Sequence, residues 1–116
     1  MESITDPTLS PPQARSSVVV DLPAELDLAS APELRRRLTA LISSGSVRLV
    51  LNAATLDFID AAGIGSLIHA ANRARAAGGW VRLIGVGRRQ RRLLRLLDLG
   101  RTLPVHEDLE DARREA

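Results

Sequence analysis

Cysteine is absent from the 116 residues, which removes disulfides, thiolate metal sites and thiol redox chemistry. Aromatic side chains are nearly absent: with only Phe58 and Trp80, a core must be built from Leu, Ile, Val and Ala. Lysine is missing, so all 16 basic residues are Arg, and the formal charge is only +2 despite a pI near 10.8. His69 and His106 are the two imidazoles; they lie far apart and share no metal-ligand spacing. No apolar run reaches the roughly 18 residues that span a bilayer. The opening MESITDPTLSPPQ has neither the basic nor the apolar region of a signal peptide. Together these absences predict a cytoplasmic protein with no membrane insertion, no metal and no cofactor.

What is present alternates between two periods. A chain of this length forms one domain with a modest core. Residues 1–15 hold Pro7, Pro11 and Pro12 among polar residues and read as a mobile tail or a weak edge strand. Ser17 to Leu22, SVVVDL, reads as a strand. Ser30 and Glu33 form an S-x-x-E capping-box pattern with Pro32 in the first turn, Leu34, Leu38, Leu41 and Ile42 follow at helical spacing, and Gly45 ends the helix. VRLVL (47–51) is a second strand. A helix over 61–77 carries Ile64, Leu67, Ile68, Ala71 and Ala74 as its stripe, closed by Gly78 and Gly79. Trp80 to Ile84 is a strand, and Arg88 to Leu97 a helix with Leu93, Leu94, Leu96 and Leu97 on one face, closed near Gly100. Leu103 to Val105 suggests an edge strand, and 107–115 a short charged helix. Helical crossovers between short strands predict an α/β domain over 16–116, with a mixed, mostly parallel sheet of four to five strands and helices mainly on one face.

No Ser/His/Asp or metal constellation assembles, so the reading is non-enzymatic. Asp57 and Asp60 could serve acid–base chemistry, but no nucleophile or base adjoins them, and Asp60 reads as a helix N-cap. Gly63 and Gly65 form G-x-G at a strand–helix junction, yet Ile68 breaks the phosphate-cradling G-x-G-x-x-G; close packing of the helix start is the simpler role. Arg88, Arg89, Arg91, Arg92 and Arg95 could meet an acidic partner or nucleic acid, or simply form a solvated helix face; without interleaved aromatics, nucleic acid is not expected. His69 reads as partly exposed, and Trp80 as core or rim packing.

The segments AELDLASAPELRRRL, LVLNAATLDFIDAAGIGSLIHAANRARAAGG and WVRLIGVGRRQRRLLRLLDLGRTLPV resemble a STAS domain of the anti-sigma-factor antagonist type, a fold also found in sulfate transporters. The resemblance covers residues 17 to 110 and rests on D-F-I-D-x-x-G-I-G at 57–65, supported by E-L-D at 25–27. It implies a regulator of transcription that binds an anti-sigma factor, itself a serine kinase, through Asp27, Asp57, Phe58, Asp60, Ala61, Ala62, Gly63, Ile64, Gly65 and His69. A weak homodimer is compatible with it. The family's phospho-acceptor Ser falls at Ala61 and its following Ser or Thr at Ala62, so the usual switch is expected to be missing; Thr55 and Ser66 are the nearest hydroxyls and poor substitutes. An alternative from another class is an accessory subunit of an ABC-type lipid or solute transport complex.

Overall fold

The computed structural model describes residues 17–114. The expected tail or edge strand at 1–15 therefore lies outside the described residues, as does the end of the expected helix at 115. Val18–Asp21 (β1), Arg48–Asn52 (β3), Trp80–Ile84 (β5) and Val105–His106 (β6) form a sheet in the order β1-β3-β5-β6. Every described pairing is parallel, including the expected one between 47–51 and 80–84, with Leu49 opposite Val81 and Leu51 opposite Leu83. Parallel strands need long crossovers, and the helices Ala31–Ser43 (α1), Ala61–Ala76 (α2) and Arg88–Leu96 (α3) supply them.

Side-chain alternation decides which face each helix covers. Val20, Leu49, Leu51, Val81 and Leu83 point into the main core. Against them pack Leu34, Leu38 and Ile42 of α1, Leu67, Ala70, Ala71 and Ala74 of α2, and Leu94 of α3. Val50 and Arg82 belong to the other face. There the short helix Leu109–Arg113 (α4) is held by Arg82, whose Nη1 donates to the Ala112 carbonyl at 2.8 Å while its guanidinium stacks 3.8 Å from the Trp80 ring centroid. The helices thus lie chiefly on one face, and Trp80 is half-buried rim packing. Among the described residues no helix is long and apolar enough to cross a membrane.

Three local expectations change. The capping box at Ser30 does not form: Ser30 is already helical (φ −96°, ψ −19°) and makes no side-chain cap. The Ser30 hydroxyl instead donates to Glu25 O at 2.8 Å, and Asp27 Oδ1 accepts from Ala29 N at 3.0 Å and from Ser30 N at 3.1 Å, the amide that Glu33 would bond in a capping box. The broad apolar face of α3 is only partly used. Leu94 is buried and Leu93 half-buried, but Leu96, two residues on from Leu94, points to the far side of the helix and is exposed, as is Leu97 at the C-cap; beyond the left-handed Asp98 (φ 56°) it is Leu103 that enters the core. That left-handed Asp98 also closes the helix before Gly100. Finally, Glu25–Leu26 (β2) and Phe58–Ile59 (β4) pair as a parallel ribbon that no periodicity announced. Two residues are too few to display a period.

Candidate functional site

The β2–β4 ribbon brings the two acidic positions of the resemblance together. Each of its strands runs directly into the loop before a helix: β2 into Asp27 and α1, β4 into Asp60 and α2. Backbone bonds align them, with Asp57 N and Phe58 N donating to Ala24 O at 2.7 and 3.1 Å and Asp60 N to Leu26 O at 3.2 Å.

Asp60 then does two jobs with its two oxygens. Oδ1 accepts from Gly63 N at 3.0 Å, capping α2 as expected. Oδ2 accepts from Leu28 N at 3.1 Å, across 32 residues of sequence. The carboxylate therefore ties the β2–α1 loop to the head of α2. Asp27 organises the same loop from within. Hydrogen bonds, foremost from the Ser30 amide, hold its carboxyl below the ordinary value of 3.8.

Gly63 is what lets the head of α2 sit on the ribbon. A Cβ there would stand 2.3 Å from Leu26 O and 2.8 Å from Ile59 Cγ1, so only glycine fits. Gly65 is different: nothing lies within 4 Å of the Cβ it lacks, and it is exposed. The close-packing role read for the G-x-G pair thus holds at Gly63 and not at Gly65. Gly63 and Ile64 are buried and support the head from below, while Ala61 is exposed and Ala62 half-buried.

The surface above this scaffold is apolar where one expects polarity. Leu28, whose amide bonds Asp60, is 76% exposed, and Phe58, two residues before Asp60, is 50% exposed. Between α1 and α2 a hollow is lined by Leu28, Pro32, Ala62, Gly65 and Ile68, together with Arg35 and His69. Arg35 Nη2 lies 3.1 Å from His69 Nδ1; since guanidinium can only donate, Nδ1 accepts and the ring proton is on Nε2. Burial, then the charges of Arg35 and Arg73, lower the His69 pKa from its ordinary value of 6.5. Asp57 is exposed and its carbonyl accepts from Gln90 Nε2 of α3 at 3.2 Å.

Asp57 to Gly65 run along β4 and the head of α2, the Asp60–Leu28 bond brings the loop that holds Asp27 to them, and His69 lies one turn further along α2. Sequence reasoning passed over Leu28, Arg35 and the Asp60–Leu28 tie. Leu28 carried a signal, as a lone large apolar residue in a polar pre-helix loop; the tie, 32 residues long, carried none. Ser66, one of the two alternative hydroxyls, is 2% exposed and its Oγ donates to Gly63 O at 2.7 Å. Thr55 is exposed, with Oγ1 donating to Leu22 O at 3.3 Å.

A model of the STAS domain family matches residues 9–112. The anti-sigma-F factor antagonist RsfA of Mycobacterium tuberculosis is 31% identical over 99 residues, which cover 84% of this chain and 77% of that protein. Among solved structures, an anti-sigma factor antagonist from Mycobacterium paratuberculosis superposes with a TM-score of 0.71 at 24% identity, over 90% of this chain and 95% of that one. The unphosphorylated form of the Bacillus anti-sigma factor antagonist SpoIIAA superposes with a TM-score of 0.66 at 23% identity, over 83% of this chain and 84% of that one.

Proposed function

We propose, because this chain belongs to the STAS domain family, that it is an anti-sigma factor antagonist: a non-enzymatic regulator that captures an anti-sigma factor of the serine-kinase type and so frees sigma for transcription. One observation carries the reading. Leu28 and Phe58 are large, apolar and exposed beside a helix head that Asp60 and Gly63 hold rigid. Apolar side chains set on a preorganised backbone lose little freedom on binding. Burying what is exposed of the two side chains would contribute at most roughly 1.5–3 kcal/mol each, Phe58 about half of its full amount. Similarity to RsfA supports an anti-sigma factor as the occupant.

The capture surface has no phosphorylation switch. The position that the resemblance assigns to the acceptor is Ala61, and neither it nor Ala62 has a side-chain oxygen. A phosphate would bring about −1.5 to −2 charges onto this apolar surface and oppose docking. Ser66 is no substitute, because its hydroxyl is buried and engaged inside the helix. Binding is then governed by the amount of each protein rather than by the kinase reaction.

Affinity capture from the source cells, followed by calorimetry with the captured anti-sigma factor, tests the reading. Leu28→Ser and Phe58→Ser should each weaken the complex by about tenfold or more, as expected for losing an anchor worth over 1.4 kcal/mol. Unchanged affinity for both folded variants overturns the assignment of this surface.

A further inference from the structure

Helix α3 carries charge that its own stability does not call for. Arg88, Arg89, Arg91, Arg92 and Arg95 stand on it with no acidic residue among them. Arg88 and Arg89 open the helix, where the dipole disfavours cations, and the N-cap Gly87 offers no side chain to compensate. A helix optimised for stability would carry Asp or Glu there. Among the described residues Arg88, Arg89, Arg92 and Arg95 form no ion pair; Arg91 donates from Nε to Val86 O at 3.2 Å.

The exposed leucines lie on the same helix. Leu96 is 72% exposed and Leu97 49%. Residues four apart share a helix face, so Arg89, Leu93 and Leu97 form one row, and Arg92 and Leu96 a second beside it. Each row begins with a guanidinium and ends with a leucine. Arg89 and Leu93 also line a small hollow with Asp57, Phe58, Ile59 and Gln90. The apolar row therefore continues onto Phe58, and Gln90 fastens α3 to that loop through the Asp57 carbonyl.

We propose that α3 is a second docking surface, which shares Phe58 with the capture surface at the head of α2, and that its occupant is an acidic amphipathic helix of a protein partner. A stripe of apolar side chains would cover Phe58, Leu93, Leu96 and Leu97, and flanking carboxylates would meet Arg88, Arg89, Arg92 and Arg95. Duplex nucleic acid would use the guanidiniums but not the leucines, and α3 has no aromatic on which a base could stack. A flat anionic membrane would use both, but not the concave recess at Phe58, which fits a protruding side chain. The proposal goes beyond anti-sigma capture and does not need it.

The test uses the full chain and a synthetic helical peptide with a leucine stripe flanked by glutamates, read by fluorescence anisotropy and by amide shifts of the labelled protein. Saturable binding is expected, weakening about tenfold or more from low to high salt, with shifts confined to 57–59 and 88–97. Arg92→Glu and Leu96→Ser, both at exposed positions, should each bind the peptide at least about fivefold more weakly while keeping the wild-type circular dichroism. Asp60→Arg should bind the peptide as wild type does, even where it loses the anti-sigma factor. Absence of saturable binding, or indifference to Arg92→Glu and Leu96→Ser, overturns the proposal. So does loss of peptide binding in Asp60→Arg, or phosphatidylglycerol vesicles or duplex DNA binding α3 more tightly than the peptide does.

Discussion

The same substitution made two residues apart at the head of α2 should have opposite effects. In Gly63→Ala the new Cβ would lie 2.3 Å from Leu26 O, about 1 Å short of ordinary contact, with Ile59 Cγ1 at 2.8 Å and Leu26 Cγ at 2.9 Å closing the other directions. The obstacle is backbone, so no rotamer change relieves it. The ribbon must move off the helix, at an overpacking cost of roughly 1–3 kcal/mol. That movement weakens the Asp60 N to Leu26 O bond, worth about 1 kcal/mol. Better helix propensity returns about 0.8–1 kcal/mol. The net loss is about 2 kcal/mol, or roughly 8–16 °C in Tm for a domain of this size. In Gly65→Ala only the propensity gain remains, because nothing lies within 4 Å and the residue is helical. Its Tm should rise by roughly 4–8 °C. Thermal melts followed by far-UV circular dichroism compare the three proteins. Equal Tm shifts of one sign, or a Gly63→Ala domain as stable as wild type, would refute the claim that close approach of helix and ribbon fixes this position.

Asp60→Ala should cost about 1–2 kcal/mol through the lost cap and should also speed hydrogen exchange at the Leu28 amide; unchanged exchange at Leu28 would remove the tie. Asp60→Arg, once circular dichroism has been used to check that it folds, should lose anti-sigma capture, since it removes that tie and sets a cation against the helix dipole; retained capture would take the head out of the interface. Asp27 is held below 3.8 when folded, so its stabilising contribution is complete above that pH and is lost as the pH falls through the folded pKa. Asp27→Asn should flatten acid unfolding below about pH 4, and an unaltered pH profile would contradict this. His69, with a folded pKa below 6.5, adds stability that is present above 6.5 and lost as pH falls through the lower folded value; its ring resonances should titrate with a midpoint under 6.5, and a midpoint above that would reverse the sign.

The long elements were legible because their periods are long enough to count. Trp80–Ile84 was read to the residue, and α2 to within one at its C-terminal end. The parallel pairing followed from helical crossovers. The β2–β4 ribbon was not legible, because two-residue strands are specified by backbone geometry and show no side-chain pattern. Ser30 misled because a capping-box spacing does not reveal that Asp27 takes the Ser30 amide that Glu33 would have bonded, or that the Ser30 hydroxyl turns back to the Glu25 carbonyl. Leucines at 96 and 97 misled because helical spacing shows which residues share a face and not whether that face meets the core. At the site, Asp60 as cap and Gly63 as a contact were readable from residue type and Leu28 from its loop, whereas the Asp60–Leu28 tie and the meeting of Arg35 on α1 with His69 on α2 needed the fold.

The central claim is capture without a phosphorylation switch, and calorimetry with the captured anti-sigma factor tests it most directly when paired with intact mass. Wild-type protein is measured before and after incubation with ATP and that factor, beside Ala61→Ser. The account predicts unchanged mass and unchanged affinity for wild type, while Ala61→Ser gains a phosphoryl group at residue 61 and then binds more weakly. A wild-type chain that acquires phosphate at Thr55 or Ser66 in high yield and releases its partner would contradict it.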